Sequence, residues 1–404
     1  MIKTYIKRPS YLSALDSYIN KDIIKVIVGQ RRVGKSYLLY QLMDGLVEKG
    51  VKKSDIIYIN KELFDFDSIK DYRDLLNFIQ KEKKSRKKQY LFIDEIQDIT
   101  NFEKTLRHLS ASGGYDIYCT GSNANLLSGE LSTFLSGRFV EIEVFGLSYP
   151  EFMTFHKLEN NKDTLIKYIR YGGLPYLVNL KLNDDTVYGY LKGVYNTILL
   201  NDIVGRYKIR NVAFLERLVE YLADNIGNLF SAKKISDFLK SQKTNVSPNI
   251  ILDYLSFLSS AFLVFKTQRS EVQGKKIFEI NDKYYFQDLG IRSSIVPYKQ
   301  PDINKILENL VFMHLKNSGY KITVGQLGKK EVDFVAEKSG EKVYLQVAYL
   351  ISNQSTKKRA FGNLLSIKDN YRKIVVSMDE TIGGKYEGIE HLHILDFLSK
   401  KVSL

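Results

Sequence analysis

The eight residues from Gly29 to Ser36, with the sequence GQRRVGKS, constrain the fold of this chain more than any other segment. A β-branched run at 23–28 leads directly into it, and a run with helical spacing follows at 37–42. A strand, a glycine-containing loop and a helix in this order form a phosphate-binding loop, in which backbone N–H groups surround an anion at a helix N-terminus. The segment therefore predicts an α/β fold with a buried parallel sheet and a site for a nucleoside triphosphate.

The residue types of this loop suit a triphosphate and its metal ion. Gly29 and Gly34 allow the backbone to wrap around the phosphate chain. Lys35 would neutralise the β and γ phosphates, and the Ser36 hydroxyl would ligate Mg²⁺, so we predict ATP and Mg²⁺ as cofactors. The predicted nucleotide-binding residues are the loop, the residue after it and two residues upstream of the first strand: Arg8, Pro9, Gly29, Gln30, Arg31, Arg32, Val33, Gly34, Lys35, Ser36 and Tyr37.

Two acids follow an apolar strand at 90–93, about sixty residues after the loop. Asp94 would hold the water shell of the metal, together with Ser36 as a metal ligand. Glu95 would orient and deprotonate the attacking water. Adjacent acids also occur simply to solvate a strand end, but their distance from the phosphate-binding loop favours the catalytic interpretation.

Two further residues are candidates for contact with the terminal phosphate. Asn123 follows the strand at 115–120, with Ser122 as the reserve choice, and either could sense the γ-phosphate. The alternative is that Asn123 caps the helix that begins at 124, and the two roles are compatible. Arg138 is suited to the spread charge of a phosphoryl-transfer transition state and could be supplied by a neighbouring subunit. A plain surface arginine is the alternative.

The segments GQRRVGKS, LFIDEIQ, TGSNANLL, SGR with FGLSYPEF, and YGGLPYLV together resemble bacterial and archaeal AAA+ ATPases that carry an AAA_14 core and a DUF4143 C-terminal region. The resemblance extends over nearly the whole chain. It implies that Asp94 and Glu95 form Walker B, that Asn123 is the sensor-1 position and that Arg138 is the arginine after the SG pair. It also implies that residues 172–175 open a helical lid, and that the protein assembles into rings or filaments.

Residues 212–298 are typical of a winged helix, with three predicted helices and a hairpin across residues 273–274. This region contains many lysines, and one interpretation is that they contact the DNA backbone. The other is a lysine-rich solvated surface on a domain used for ring packing. The predicted DNA-binding residues are Lys233, Lys234, Lys243, Lys275 and Lys276.

The last hundred residues resemble the PD-(D/E)xK nuclease fold, through the spacing of Glu308, Asp333 and Gln346. Gln346 stands where a second carboxylate belongs, and Ala348 replaces the lysine that assists the attacking water. A neutral amide cannot supply the charge that a hard cation requires. The region is therefore interpreted as a degenerate nuclease-like α/β domain without cleavage activity.

The length of 404 residues favours several domains. The predicted divisions are 1–150 for the AAA+ P-loop core, 151–211 for the lid, 212–298 for the winged helix and 299–404 for the nuclease-like domain. A net charge of +14 favours a polyanionic partner. The single cysteine, Cys119, excludes an intrachain disulfide and favours a reducing cytoplasm, and no segment is apolar enough to span a membrane.

Two functions follow from these observations. The first is an ATP-driven motor or translocase on duplex or branched DNA, assembled as a homo-oligomer, with a hexameric ring as one candidate form. The second is a nucleotide-gated regulatory switch, similar to signal-transduction ATPases of stress or defence systems. An ATP-dependent nuclease is a third and weaker option, because the second metal ligand is lost.

Overall fold

The computed structural model describes residues 5–84, 87–124, 135, 137–272, 277–351, 354–379 and 384–399. These residues form two compact units. The first comprises Met1–Phe145 with Ser260–Phe262, and the second comprises Gly146–Ser259 and Leu263–Leu404. The described residues contain no helix that combines the length and the apolar character needed to cross a bilayer.

The first unit is built on a five-stranded sheet in which each strand pairs in parallel with its neighbours. Its strands are β1 (Ile24–Val28), β2 (Ile56–Asn60), β3 (Gln89–Asp94), β4 (Tyr115–Gly121) and β5 (Phe139–Glu143). Their spatial order is β2-β3-β4-β1-β5. Every residue of β1 and β3 is buried, as expected for central strands of a parallel sheet that is covered on both faces.

Four helices accompany this sheet in the described residues: α1 (Pro9–Asp16), α2 (Lys35–Glu48), α3 (Tyr72–Glu82) and α4 (Phe102–Ser112). The start of α3 shows how local sequence fixes a boundary. The Asp71 side chain accepts hydrogen bonds from the backbone N–H of Arg73 and Asp74, and Asp74 bonds back to the Asp71 backbone, which forms a capping box. Parallel strands require such helical crossovers, so the chain alternates between strand and helix.

A buried ion pair lies near the amino ends of β1 and β4. The Lys25 ammonium pairs with the Asp116 carboxylate, and both side chains are fully buried. Asp116 also accepts hydrogen bonds from the backbone N–H of Asn20 at 2.8 Å and from the Tyr118 hydroxyl at 3.0 Å. Burial lowers the pKa of Lys25, and Asp116 partly opposes this effect. Cys119 lies on β4 with Asp116. It is 1% exposed, and burial raises the pKa of its thiol to about 12.

The second unit contains a nine-stranded mixed sheet in the described residues, with the order β13-β14-β12-β11-β10-β9-β7-β8-β6. Its strands are β6 (Leu229–Phe230), β7 (Val264–Glu271), β8 (Ile277–Phe286), β9 (Lys321–Leu327), β10 (Lys330–Lys338), β11 (Glu341–Ala348), β12 (Arg372–Ser377), β13 (Gly384–Tyr386) and β14 (Ile389–His393). The hairpin β7–β8 is antiparallel, and β7 continues the sheet by pairing in parallel with β9.

The second unit also contains ten helices within its described residues. They are α5 (Tyr149–His156), α6 (Lys162–Tyr171), α7 (Asp184–Thr197), α8 (Val212–Asp224), α9 (Ala232–Ser241), α10 (Pro248–Ser260), α11 (Leu289–Ile295), α12 (Ile303–Asn317), α13 (Gln354–Leu365) and α14 (Ile394–Ser399). A π-helix, Ile198–Gly205, continues directly from α7. The order helix, short strand, two helices and hairpin from α8 to β8 is the one expected of a winged helix, and that assignment remains a prediction.

One sheet crosses the division that the sequence suggests at residue 298. Strands β6 to β8 precede this position and β9 to β14 follow it, yet hydrogen bonds between β7 and β9 join them into one sheet. Likewise, the proposed lid at 151–211 belongs to the same compact unit as these strands. The four predicted divisions of the chain therefore remain predictions beside the two units that the structure describes.

The glycine pair of the YGGLP segment has a steric reason. Gly172 follows α6 with φ +76°, and a Cβ added there would lie 2.1 Å from Asp288 Oδ1. The Asp288 carboxylate accepts hydrogen bonds from the backbone N–H of Gly173 at 2.7 Å and of Ile291 at 2.9 Å, so it also caps α11. At Gly290 a Cβ would lie 2.0 Å from the Tyr171 carbonyl oxygen. The Asp288 carboxylate at Gly172 and the Tyr171 backbone at Gly290 leave no room for a side chain at these two positions.

Candidate functional site

The phosphate-binding loop lies between β1 and α2 and has the backbone geometry that its sequence predicts. Gly29 has φ +154°, and a Cβ there would lie 2.2 Å from the Val144 carbonyl oxygen. Arg32 and Gly34 have positive φ angles of 71° and 98°. Gly34 precedes α2 and contributes no side-chain cap, so the first N–H groups of this helix point toward the space that the loop surrounds. This arrangement suits an anion.

The Lys35 side chain folds back into the loop and is buried. Its ammonium donates hydrogen bonds to the carbonyl oxygens of Gly29 at 3.0 Å and Gln30 at 3.2 Å. It also lies 3.5 Å from Glu95 Oε1. A cation held within the loop is placed to meet the terminal phosphates of a nucleotide.

The two predicted acids stand at the carboxyl end of β3. Asp94 Oδ1 accepts a hydrogen bond from the Thr120 hydroxyl at 2.5 Å, and Oδ2 accepts one from the Tyr58 hydroxyl at 3.2 Å. Glu95 has φ 55°, and its backbone N–H donates to Thr120 Oγ1 at 2.9 Å. Gln97 Nε2 donates to Glu95 Oε2 at 2.5 Å. Thr120 thus links the two acids and holds both against β4.

The charge state of Glu95 follows from its neighbours. Burial alone would raise the pKa of this carboxyl, but the Lys35 ammonium and the hydrogen bond from Gln97 lower it, and the pKa lies below its usual value. Glu95 is therefore ionised at neutral pH and able to accept a proton. The carboxylate thus carries the charge that accepting a proton from water requires.

Thr120 and Tyr58 were missed in the sequence analysis. Thr120 is the penultimate residue of β4, the strand that precedes Ser122 and Asn123. A polar residue near the carboxyl end of this apolar strand could have indicated a site residue. Tyr58 lies in the middle of β2, where an aromatic residue is usually a packing residue. Its hydroxyl lies 3.2 Å from both Asp94 Oδ2 and the Tyr40 hydroxyl, which only the three-dimensional pairing of β2 with β3 reveals.

Ser122 and Asn123 follow β4, at the same edge of the sheet as the phosphate-binding loop and Asp94. Both side chains are buried. Because β4 lies between β1 and β3, the geometry brings these residues to the part of the edge where a γ-phosphate would lie. The helix that Asn123 would cap is predicted for residues 124–127, and residues 125–127 lie outside the described residues.

Arg138 lies at the amino ends of the strands, whereas the phosphate-binding loop of its own chain lies at their carboxyl ends. It is exposed and directly precedes β5, and its carbonyl oxygen accepts a hydrogen bond from the Ile24 N–H at 2.9 Å. Since β5 is parallel to β1 with Phe139 opposite Ile24, the full length of β1 separates Arg138 from Gly29. That separation is roughly 15–20 Å at the usual rise of a strand.

The upstream segment supports the loop through Arg8. This side chain is buried, and its Nη1 donates to the carbonyl oxygens of Val33 at 3.2 Å and Phe145 at 2.9 Å. The Arg8 backbone N–H donates to Gln41 Oε1 at 3.1 Å, and α1 begins at Pro9. The structure thus gives Arg8 a contact with the loop backbone, while its contact with the nucleotide remains a prediction.

The other predicted contacts lie on the loop surface or at the start of α2. Arg31 Nη1 lies 3.2 Å from Glu62 Oε1, and the side chains of Arg32 and Tyr37 are exposed. Ser36 is the second residue of α2, directly after Lys35. The Ser36 hydroxyl and the Asp94 carboxylate are hard oxygen ligands, which suit a Mg²⁺ ion that is held largely by nucleotide phosphates.

Of the predicted DNA contacts, Lys233 and Lys234 are exposed in the first turn of α9, and Lys243 is exposed just after its end. Lys275 and Lys276 lie outside the described residues. These three described lysines share one helix and the turn that follows it.

Two parts of the chain match known family models. Residues 21–153 match a family model described as an AAA domain, and residues 162–302 match one described as a domain of unknown function (DUF8612). The expected DUF4143 region at 299–404 is not confirmed, because the model that matches after the AAA domain is DUF8612 and it spans residues 162–302. An uncharacterized protein of Haemophilus influenzae is 38% identical over 403 residues, which cover 98% of this chain and 100% of that protein. The Methanocaldococcus jannaschii protein MJ1544 is 33% identical over 379 residues, covering 87% of this chain and 82% of its own length.

Among solved structures, the Walker-type ATPase PABY2304 of Pyrococcus abyssi matches with a TM-score of 0.50 and 15% identity, over 72% of this chain and 96% of that chain. This likeness concerns the fold. The phosphate-binding loop, the acids at the end of β3 and the strand order define a P-loop ATPase. The chain belongs to the same family as the Haemophilus influenzae relative, which aligns over 98% of this chain, and residues 21–153 carry an AAA domain.

Proposed function

We propose that this AAA+ ATPase hydrolyses ATP with Mg²⁺ at the phosphate-binding loop and uses the cycle to move on duplex or branched DNA as a homo-oligomer. The observation that carries this proposal is the position of Arg138. It is an exposed arginine at the end of the sheet far from the loop of its own chain, which supports a role at the nucleotide of a neighbouring subunit.

The residues divide the chemistry among them. The loop backbone and Lys35 bind the phosphates, while Ser36 and Asp94 hold the metal. Glu95, kept ionised by Lys35, takes the proton of the attacking water. Asn123 contacts the γ-phosphate, and Arg138 of the next subunit stabilises the charge that develops in the transition state.

Lysine contacts with the DNA backbone fit the charge distribution. The net charge is +14, and Lys233, Lys234 and Lys243 are exposed. In a winged helix the second helix of the helix-turn-helix pair reads bases, and here α10 holds that position. Its sequence, PNIILDYLSFLSS, contains no lysine or arginine. Binding would therefore depend on phosphate contacts rather than on base sequence, which suits a translocase.

The test is ATP hydrolysis with and without DNA, combined with the mass of the particles in solution. We expect DNA to stimulate turnover about tenfold or more, which corresponds to a barrier lowered by about 1.4 kcal/mol, in a species of ring size. An ATP hydrolysis rate that is the same with and without DNA, in a protein that remains a monomer, contradicts the proposed motor function. Lys233→Glu with Lys234→Glu should weaken the stimulation and reduce the salt dependence of DNA binding.

The Arg138→Ala variant tests whether this arginine acts at the nucleotide of a neighbouring subunit or at that of its own chain. We expect the loss of hydrolysis only at protein concentrations at which the oligomer forms. Arg107→Ala, which removes another exposed arginine of the same unit on α4, is the matched control and should retain activity. Equal loss in isolated subunits of Arg138→Ala would place the arginine in its own active site.

The regulatory switch remains the second candidate because apolar side chains are exposed on α9 and α10. Phe238 is 57% exposed, Ile250 42% and Leu252 49%. Exposed apolar groups on neighbouring helices favour a protein partner more than a phosphate backbone. DNA-indifferent ATP turnover by a monomer supports the switch.

A further inference from the structure

Three carboxylates and one lysine converge where the hairpin β7–β8 meets α12 and β10. We call the acids, Glu308 on α12 with Glu331 and Asp333 on β10, the carboxylate cluster. The Lys283 ammonium on β8 lies 2.9 Å from Glu308 Oε1 and 2.8 Å from Glu331 Oε1. The Lys283 side chain is only 4% exposed, so this is a buried cation among acids rather than a surface ion pair.

Hydrogen bonds fix the orientation of the acids. The Tyr285 hydroxyl donates to Glu308 Oε1 at 2.6 Å. Asp333 Oδ2 accepts hydrogen bonds from Gln346 Nε2 at 2.7 Å and from the Val347 backbone N–H at 2.8 Å. Gln346 thus turns its amide nitrogen toward Asp333 and contributes a donor to the cluster through that bond.

The charges within the cluster support one another. Burial alone would lower the pKa of Lys283, but Glu308, Asp333 and Glu331 together raise it, so the ammonium stays protonated. Burial and the neighbouring Glu308 raise the pKa of Asp333 to about 7, and Lys283 opposes this rise.

A divalent cation does not fit this arrangement. The spacing of Glu308 and Asp333 resembles that of nuclease metal ligands, but the Lys283 ammonium already contacts Glu308 and Glu331. Within the described residues, no three His, Cys, Asp or Glu side chains form a group that could hold a metal ion. The turn at Gly227 also covers Glu308, since a Cβ at Gly227 would lie 3.3 Å from Glu308 Oε1.

We propose that Lys283 is the resident cation of the carboxylate cluster, that it takes the place of a divalent metal, and that it fastens the β7–β8 hairpin to α12 and β10. The cluster is then a joint between the predicted winged helix and the C-terminal strands. This role is independent of ATP hydrolysis, so it stands even if the proposed motor function fails.

The experiment measures Mn²⁺ binding by electron paramagnetic resonance on the full-length protein without nucleotide. We expect wild type and Glu308→Gln to bind equal amounts of Mn²⁺, because the cluster holds none. Lys283→Ala leaves the acids without a counter-ion and frees their side chains to turn toward one another, so we expect it to gain about one Mn²⁺ per chain through these hard oxygen ligands. Mn²⁺ should also raise the unfolding temperature of Lys283→Ala and leave that of wild type unchanged.

Lys266→Ala is the matched control. This lysine lies on the same hairpin and pairs with Asp282 at 2.9 Å, but 43% of its side chain is exposed. We expect it to gain no Mn²⁺. Mn²⁺ on wild type that Glu308→Gln releases overturns the proposal, and so does a folded Lys283→Ala that gains no Mn²⁺. If Lys283→Ala fails to fold, the comparison of wild type with Glu308→Gln still decides the question.

Discussion

The Lys35 ammonium lies 3.5 Å from the Glu95 carboxylate, inside a loop whose carbonyl oxygens hold the same ammonium in place. The proposed phosphate-binding cation is thus also the group that keeps the proposed general base ionised. Substitutions at the two positions should therefore have different kinetic consequences.

Lys35→Ala should weaken ATP binding by about 10- to 100-fold, because it removes a charge-assisted hydrogen bond to the terminal phosphates. Titration with a fluorescent ATP analogue measures this loss. Lys49→Ala, on the exposed end of α2, is the control and should bind ATP as wild type does. Unchanged affinity in Lys35→Ala would place the phosphates elsewhere.

Glu95→Gln should retain ATP binding and lower kcat by about 10²- to 10⁴-fold, because only proton acceptance from water is lost. Binding and steady-state turnover are measured on the same preparation. Glu103→Gln on α4 provides a neutral substitution in the same unit. If Glu95→Gln turns over normally, another group activates the water.

Lys25→Met should destabilise the protein by about 3–5 kcal/mol, because it leaves the buried Asp116 without its counter-ion. Denaturant unfolding followed by circular dichroism measures the loss. The matched control is Lys49→Met, which breaks an ion pair with Asp16 in which both side chains are 58% exposed. That change should cost about 1 kcal/mol or less. Similar losses in the two variants would mean that burial of the Lys25 pair is energetically unimportant.

Gly172→Ala should destabilise the protein by about 3 kcal/mol or more, through a clash with Asp288 and an unfavourable positive φ. Gly189→Ala is the control, since this glycine lies within α7 and a Cβ there meets nothing within 4 Å. The control should gain up to about 1 kcal/mol from helix propensity. Thermal unfolding of both variants is the measurement, and a tolerated Gly172→Ala would contradict the close approach.

Asp288 should make stability depend on pH. Burial raises its pKa from 3.8 to about 6, although the N–H groups of Gly173, Ile291 and Gly290 lower it in part. The folded state thus binds the proton more tightly than the unfolded state does. The stability that this difference contributes is fully present below about pH 4. It is lost as the pH rises through about 6, and the free energy of unfolding then falls by up to about 3 kcal/mol.

Asp288→Asn removes this titration and keeps an acceptor oxygen for the cap. The measurement is the free energy of unfolding of wild type minus that of Asp288→Asn at several pH values. We expect this difference to fall between about pH 4 and pH 7. A difference that stays flat or rises over that range would mean that Asp288 is ionised in the folded protein.

The sequence predicted the parallel α/β core well because its signals are local. Strands β1 to β4 of the core are mostly apolar, and the loop from Gly29 to Ser36 requires a strand before it and a helix after it. The comparisons confirm this AAA+ core. The roles of the site residues, by contrast, remain predictions.

The remaining features depend on pairings between distant parts of the chain. Thr120 contacts both Asp94 and Glu95 only because β4 pairs with β3 in a particular register. Lys283 was not singled out, since nothing in its local sequence shows that β8 passes beside Glu308 and Glu331. Local sequence likewise does not reveal that one sheet continues across residue 298 through the pairing of β7 with β9. Periodicity indicates a strand and its buried face, but it does not identify the neighbouring strand.

The burial of Cys119 has a practical consequence for the study of this ATPase. The chain has one cysteine, and that thiol is sealed inside β4 with its pKa raised to about 12, so very little reactive thiolate is available at neutral pH. Maleimide dyes should therefore leave the native protein unmodified. A cysteine introduced at an exposed position would become the single point of attachment, which allows fluorescence distance measurements without first removing a natural residue.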